Sequence, residues 1–117
     1  MAMRDLTGAV DFAYLENYTG GDAQVVEEVL RLFQQQCELW SPLLNTRHEG
    51  WRDAAHTLKG AAAGIGANAL AAVAGEAEMG DAEGAAGRLE RVRTAIDTAL
   101  YDVAAYLHGL QLRSLKG

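Results

Sequence analysis

The sequence predicts an all-α fold, an antiparallel up-down four-helix bundle with a short additional N-terminal helix. Apolar residues recur at spacings of three and four along several segments, which is the period of an amphipathic helix. Alanine is abundant, whereas the strand-forming residues Val, Ile and Thr are sparse. Short joints separate the segments, and such joints favour antiparallel neighbours. The length of 117 residues suits one domain, so we expect residues 1–117 to form one helical domain with its core bundle over about 22–110.

The first two predicted helices occupy the N-terminal part of the chain. A short helix covers Val10–Tyr18 and ends at the break formed by Gly20–Gly21. Asp22 is a good N-cap for a second helix, which we expect to run to about Asn45. Pro42 lies inside this segment and should kink or locally break it, because proline lacks the backbone N–H that a helix needs. The apolar stripe of the second helix comprises Val26, Val29, Phe33, Cys37, Trp40 and Leu44.

Three further helices are predicted in the remainder of the chain. The third covers about 49–64, and Gly64–Gly66 ends it because glycine readily adopts the left-handed C-cap conformation. Asn68 is a plausible N-cap for a fourth helix that reaches about Met79. Asp81 is then placed to cap a long fifth helix. The apolar stripe of that helix comprises Leu89, Val92, Ile96, Leu100, Val103, Leu107 and Leu110.

The most informative segment of the chain lies on the predicted third helix. His56 is followed at i+3 by Lys59 and at i+4 by Gly60, and residues at these spacings share one helical face. The apolar stripe of this helix centres on Leu58, which is about 200° from His56 at roughly 100° per residue. We therefore expect His56 to point away from the core, with Ala63 one turn beyond Lys59. An imidazole, a cation and small neighbours on one exposed patch would let a second protein approach closely.

The run His56-Thr57-Leu58-Lys59-Gly60, with Gly66 following, resembles the signature of histidine-containing phosphotransfer (HPt) domains of bacterial phosphorelays. The resemblance covers most of the chain. It includes the entry into the second helix at Tyr18–Asp22 and the apolar positions that follow. It implies a single HPt-like helical domain that acts in signal transduction by a two-component system.

The resemblance also implies a role for each residue of the patch. His56 would accept a phosphoryl group from a receiver-domain aspartate and pass it to another receiver, and Lys59 would interact with that group. Gly60 and Ala63 would be the small residues that admit the receiver. Some members place a glutamine on the next helix, where it hydrogen-bonds the second ring nitrogen. The corresponding residue here is Glu78, which either accepts the ring N–H and makes the imidazole more basic or faces solvent.

The residue types fit this chemistry without reference to any family. Neutral imidazole is nucleophilic near neutral pH. Phosphoryl transfer depends on positioning and on charges that offset the phosphoryl oxygens, and Lys59 supplies one such charge. The sequence has neither a carboxylate cluster of the kind that holds Mg²⁺ nor a glycine-rich nucleotide-binding loop. We therefore expect no cofactor, no autokinase activity and Mg²⁺ only on the partner receiver.

Several other classes of function are disfavoured by composition. The net charge of −6 argues against binding to nucleic acid, and the uncharged stretch 60–75 is shorter than the ~20 residues that span a membrane. His48, His56 and His108 lack the spacing of metal ligands on one helix. Cys37 is the single cysteine and falls on an apolar stripe, which favours a small buried side chain. With no secretory signal at the N-terminus, we expect a cytoplasmic protein.

The expected partners are receiver domains of response regulators, of hybrid histidine kinases, or of both. We expect a monomer, because the predicted bundle closes within one chain. Two alternatives remain open from the sequence. In the first, the chain would be a binding-only module that docks a receiver without transfer. In the second, it would be a catalytic or metal-binding bundle unrelated to phosphorelays. A variation on the phosphorelay prediction is that the chain would be a phosphotransfer domain excised from a larger histidine kinase. The initial methionine and compact length favour a free-standing protein instead.

Overall fold

A computed structural model of the protein describes residues 6–116. This part of the chain forms five α-helices, one 3₁₀ helix and no strand, which confirms the all-α prediction. The predicted span of 1–117 also includes residues 1–5 and 117, which lie outside the described residues. The helices are α1 (Phe12–Tyr18), α2 (Ala23–Trp40), α3 (Trp51–Ile65), α4 (Asn68–Met79) and α5 (Ala85–Lys116), with the 3₁₀ helix at Ser41–Leu43.

Helices α2 to α5 form the bundle, and α1 covers part of it. Helix α2 packs against α3 and α5, and α4 packs against the same two helices from the other side. The short α1 contacts α2 and α3. Helix α5 has 32 residues, so at ~1.5 Å per residue it accounts for most of the 52 Å length of the molecule. The fully buried side chains of the core include Leu30, Leu58, Leu70, Leu89, Val92 and Val103.

The ends of α1 and α2 follow from their caps. Helix α1 begins at Phe12 instead of the predicted Val10, because the Asp11 carboxylate accepts a hydrogen bond from the Tyr14 backbone N–H at 3.0 Å. Asp22 caps α2 as predicted, by accepting from the N–H groups of Gln24 and Val25.

The predicted end of the second helix at Asn45 is wrong. Helix α2 ends at Trp40, and Pro42 lies in the 3₁₀ helix that follows. Proline has no N–H to continue the helical ladder, so the backbone tightens into a 3₁₀ turn at this point. Leu44 nevertheless reaches the core, where it is 1% exposed. The apolar period therefore continues past the end of the α-helix. At Leu44 it indicates a buried side chain and not a helical backbone.

The turn between α3 and α4 confirms one prediction and corrects another. Gly66 adopts φ of +80° and ends α3 as a left-handed C-cap. Its carbonyl accepts from the Asp11 N–H at 2.9 Å, and a Cβ on Gly66 would lie 2.9 Å from the Asp11 carbonyl oxygen. Asn68 is not the cap of α4, because Ala67 occupies the cap position and Asn68 is the first helical residue. A side chain larger than hydrogen at position 66 would therefore separate α1 from α3.

The structure also shifts the starts of α3 and α5 from their predicted positions. Helix α3 begins at Trp51, because the His48 ring nitrogen Nδ1 accepts from the Gly50 N–H and holds the preceding residues in a turn. Helix α5 begins at Ala85. Asp81 does not cap it directly, but accepts from the Gly84 N–H at 3.2 Å within the α4–α5 joint.

A buried carboxylate fastens the N-terminal segment to α5. Asp102 is fully buried and accepts hydrogen bonds from the Thr7 N–H, the Thr7 hydroxyl and the Ala9 N–H at 2.8–3.0 Å. Three donors offset the loss of hydration that burial imposes on a carboxylate. This contact places Val10 and α1 over one end of the bundle.

Candidate functional site

His56 lies in the middle of α3 on the face that points away from the core. Ala55 and Leu58 on the same helix are fully buried, whereas the His56 side chain is 68% exposed. The helical period therefore places the imidazole where a second protein can reach it, as predicted from the apolar stripe. Thr57, which lies beside it in sequence, is half-buried.

Glu78 on α4 contacts both His56 and Lys59. The chain reverses at Gly66, so the C-terminal end of α4 lies beside the first half of α3. The Glu78 oxygen Oε2 is 2.5 Å from His56 Nδ1, and Oε1 accepts from Lys59 Nζ at 3.4 Å. The Glu78 side chain is only 16% exposed. Of the two alternatives left open by the sequence, the structure selects the contact with the ring.

The contact with Glu78 determines which nitrogen of His56 is available for reaction. An ionised carboxylate only accepts hydrogen bonds, so the neutral ring carries its proton on Nδ1 and donates it to Glu78. The lone pair of the neutral ring is then on Nε2. The arrangement therefore presents one defined nucleophilic nitrogen on an exposed side chain.

The pKa of the Glu78 carboxyl reflects the same contacts. Burial acts to raise this pKa, but the hydrogen bond from His56, the charge of the His56 ring in its protonated form and the charge of Lys59 outweigh burial and lower it below the usual value of 4.5. Glu78 is therefore ionised throughout the physiological pH range. A permanent negative charge beside the ring also stabilises any positive charge that develops on it.

Lys59 reaches the site along the surface of α4. Its side chain is 40% exposed, and a Cβ on Gly75 would lie 3.3 Å from Lys59 Cδ. The absence of a side chain at Gly75 thus leaves room for the lysine stem. Sequence reasoning missed Gly75. Its position three residues before Glu78 was the available signal, because residues at that spacing share a helical face.

A shallow groove borders the other side of the exposed face of α3. Gly60 is part of its lining, and a Cβ there would meet nothing within 4 Å. Leu32 from α2 is 55% exposed at this groove, although it is a large apolar side chain. Ala63 is exposed on the same helix, as predicted. The α2–α3 groove is lined by Val29, Leu32, Phe33, Gln36, Thr57, Gly60, Ala61, Gly64 and Ile65.

Comparisons with known proteins show the family to which the chain belongs. The Hpt domain family model matches residues 23–106. The chain belongs to the Hpt domain family. It is similar to the crystal structure of histidine phosphotransferase ShpA from Caulobacter crescentus, with 55% sequence identity and a TM-score of 0.83 over 92% of this chain and 99% of that chain. The comparison with curated proteins produced no match. The family and this similarity support a phosphotransfer carrier role in two-component signalling.

The cysteine, the other two histidines and the two tryptophans of this Hpt domain lie outside the cluster formed by His56, Lys59 and Glu78. Cys37 is 1% exposed, and burial raises the pKa of its thiol to about 12. The His48 ring accepts from Gly50 within a turn, and His108 is exposed on α5. Trp51 is buried, whereas Trp40, which belongs to the predicted apolar stripe of the second helix, is half-buried against the core. Cys37 is thus far less suited to nucleophilic chemistry than the exposed imidazole of His56.

Residues 6–116 of this Hpt domain contain neither a metal-binding group of side chains nor a membrane-spanning helix. Within this part of the chain, no three His, Cys, Asp or Glu side chains are grouped so that they could hold a metal ion. No described helix has both the length and the apolar character needed to cross a membrane. We refer to the cluster formed by His56, Lys59 and Glu78 as the imidazole cluster.

Proposed function

We propose that this Hpt domain carries a phosphoryl group on His56, which it accepts from the aspartate of one receiver domain and passes to another. The observation that carries the proposal is the imidazole cluster. An exposed ring is held through Nδ1 by Glu78, and a lysine ammonium lies within 3.4 Å of the same carboxylate. The receivers would belong to response regulators or hybrid histidine kinases.

The reaction follows from the protonation state of the ring. Nε2 of neutral His56 attacks the phosphorus of the aspartyl phosphate, a nitrogen–phosphorus bond forms, and the bond from phosphorus to the aspartate oxygen breaks. The aspartate leaves as a carboxylate on the receiver. The proton stays on Nδ1, so the phosphorylated ring is cationic and Glu78 stabilises it. Lys59 offsets the charge of the phosphoryl oxygens, and return of the group to a second receiver reverses each step.

The α2–α3 groove is the surface on which we propose that a receiver docks. Gly60 lines the groove and lies one helical turn from His56, so a partner seated there reaches the ring. The groove is predominantly apolar, and exposed Leu32 offers area that a partner can bury. Apolar area at the centre of an interface provides affinity, while small residues permit close approach.

In this proposal, the chain depends on its receiver partner for the other groups that the reaction needs. The receiver would provide the acceptor aspartate and Mg²⁺, and the chain itself would hold no cofactor. The chain would not phosphorylate itself from ATP. It would act as a cytoplasmic monomer, free-standing or as part of a larger protein.

Transfer from a labelled receiver tests the proposal. A receiver carrying ³²P on its aspartate is mixed, in Mg²⁺, with wild type, His56→Gln and His108→Gln. The last is the matched control, because His108 is also an exposed histidine on a helix but lies on α5. We expect acid-labile, alkali-stable label on wild type and His108→Gln and none on His56→Gln.

Two outcomes of this experiment contradict the proposal. Label on His56→Gln would place the phosphoryl group elsewhere. Binding of several receivers to wild type with no label on it would instead indicate a docking module that does not transfer.

A further inference from the structure

Arg52 lies one helical turn before His56 on the same face of α3, and its guanidinium reaches across to α4. Arg52 Nη1 donates to the carbonyl oxygens of Glu78 at 2.6 Å and of Gly80 at 2.8 Å. Carbonyls at the C-terminal end of a helix have no partner within that helix. A cation at this negative end of the helix dipole is also favourable. Arg52 therefore fastens the last turn of α4 to α3.

Glu78 is consequently held at two points by the same helix. Its carboxylate contacts the His56 ring and Lys59, and its backbone carbonyl accepts from Arg52, which lies four residues before His56. Glu78 is the penultimate residue of α4, where helices fray most readily. Without the second contact, the backbone that carries the carboxylate could move relative to α3. Catalytic arrangements lose efficiency when a group is displaced by about 1 Å.

The surroundings of Arg52 favour this geometry. The guanidinium lies 4.3 Å from the centroid of the Trp51 ring, and Trp51 is buried. Stacking on an anchored aromatic ring restricts where the arginine can point. One guanidinium nitrogen can donate to two carbonyls in fixed directions, whereas a lysine ammonium on a flexible stem is a less directional donor. Arg52 is thus oriented toward the end of α4.

We propose that Arg52 is a positioning residue for phosphoryl transfer: by holding the last turn of α4, it keeps Glu78 on His56 Nδ1 and leaves Nε2 free to react. The proposal rests on the proposed function of His56. Arg52 acts through Glu78 and does not touch the phosphoryl group. Its effect therefore disappears when the Glu78 carboxylate is absent.

The test compares Arg52→Gln, Arg52→Lys, Glu78→Ala and the double variant Arg52→Gln/Glu78→Ala. Arg93→Gln is the matched control, because Arg93 also donates to a backbone carbonyl, that of Leu44, at a joint that does not include Glu78. Thermal unfolding verifies that each variant is folded.

The first readout is the tautomer of the His56 ring, measured by ¹⁵N NMR on the protein alone at about pH 8. We expect the Nδ1–H form to dominate in wild type and Arg93→Gln and to fall in Arg52→Gln. Glu78→Ala and the double variant should give the same spectrum. Arg52→Lys should lie between wild type and Arg52→Gln.

The second readout is transfer from a phosphorylated receiver. We expect Arg52→Gln to slow transfer about fivefold while the Kd for the receiver stays within about twofold, and to have no further effect in the Glu78→Ala background. An unchanged ring spectrum in Arg52→Gln overturns the proposal. So does equal slowing by Arg52→Gln with and without Glu78, which would indicate direct contact with the phosphoryl group or receiver.

The two readouts separate this proposal from the proposed function. If wild type takes up no phosphate, the function of His56 as a carrier is wrong, and the claim that Arg52 assists transfer fails with it. The ring spectra still decide whether Arg52 positions Glu78. If wild type is phosphorylated and the spectrum of Arg52→Gln equals that of wild type, the carrier function stands and the role of Arg52 is rejected.

Discussion

The two sides of the exposed face of α3 differ in character. Toward α2 the surface is the α2–α3 groove, which is apolar and has small residues at Gly60 and Gly64. Toward α4 it is the imidazole cluster, in which His56, Lys59 and Glu78 are charged or polar. Under the proposed function, the groove recognises the receiver and the cluster performs the chemistry. In this proposal, one helix separates binding from reaction by the direction in which its side chains point.

Both sides depend on the buried face of the same helix. Ala54, Leu58 and Ala62 are fully buried against the core and fix the rotation of α3 about its own axis. A close-packed face permits little adjustment, so the groove and the cluster keep a constant separation. Substitutions in the groove should therefore change receiver affinity and leave the ring unaffected, whereas substitutions in the cluster should do the opposite.

The largest effect is expected from filling the groove with Gly60→Trp. A Cβ at Gly60 meets open space, so the variant should fold, but the indole would occupy the proposed docking surface for the receiver. We expect the Kd for the receiver to weaken about 100-fold, which corresponds to ~2.7 kcal/mol. Isothermal titration with a receiver domain measures this change.

Gly60→Ala is the matched control for the groove. It replaces a helical glycine and adds only a methyl group, which meets no atom within 4 Å, so we expect the free energy of unfolding to rise by about 1 kcal/mol and receiver binding to persist. The His56 ring spectrum should equal that of wild type in both variants. Normal affinity in Gly60→Trp would show that the receiver docks elsewhere.

Lys59→Ala should have the next largest effect, and on the other side of the helix. Hydrogen bonds to charged groups contribute about 1.5–3 kcal/mol, so loss of the ammonium should slow transfer roughly 10- to 100-fold. The Kd for the receiver should change little, because Lys59 faces Glu78 and does not line the groove. Single-turnover transfer at saturating receiver isolates the rate. A weakened Kd with an unchanged rate would assign Lys59 to recognition instead.

The sequence predicted the part of this site that lies within one helix. His56, Lys59 and Gly60 are three or four residues apart, so their shared face follows from helical geometry alone. The outcome for Glu78 was left open because its contact with His56 depends on how α4 packs against α3. The space that Gly75 leaves for Lys59 and the hydrogen bond from Arg52 to Glu78 were missed for the same reason. Each of these contacts is between α3 and α4.

The fold shows the same limit at its joints. The apolar period identified the bundle helices, but it extended α2 past Trp40 because Leu44 is buried outside any α-helix. Asp102 lies beside the apolar position Val103, and nothing near it in sequence indicates burial. Its partners Thr7 and Ala9 come from the opposite end of the chain. Local period therefore predicts helices, whereas caps and buried polar contacts require the tertiary structure.

Leu32→Ala tests the groove with a smaller change. Leu32 is 55% exposed and offers apolar area to a partner, so truncation should weaken the receiver Kd about fivefold, or ~1 kcal/mol. Leu39→Ala is the matched control, because Leu39 is 63% exposed on the same helix but outside the groove lining. Equal weakening by both variants would extend the docking surface along α2, and no weakening by Leu32→Ala would exclude this side chain from it.

Glu78→Gln is expected to have the smallest effect on the rate of phosphoryl transfer at neutral pH. The pH dependence of its stability should reveal the contribution of the Glu78 charge. The amide oxygen can still accept the Nδ1–H, so transfer at pH 7 should remain close to the wild-type rate. The charge, however, contributes to stability, because contacts with His56 and Lys59 outweigh burial and lower the pKa of Glu78 in the folded state below 4.5. A carboxyl group whose pKa is lower in the folded state stabilises that state at pH values above its pKa in the unfolded chain.

That stability is lost as the pH falls through the folded pKa of Glu78. Wild type should therefore be more stable than Glu78→Gln at pH 7, and the difference should shrink once the pH drops below the ordinary value of 4.5. Urea unfolding of both proteins across this range measures the difference. A constant difference would mean that Glu78 acts only as a hydrogen-bond acceptor. A difference that vanishes in acid would show that its charge holds the ring and the lysine together on the reactive side of α3.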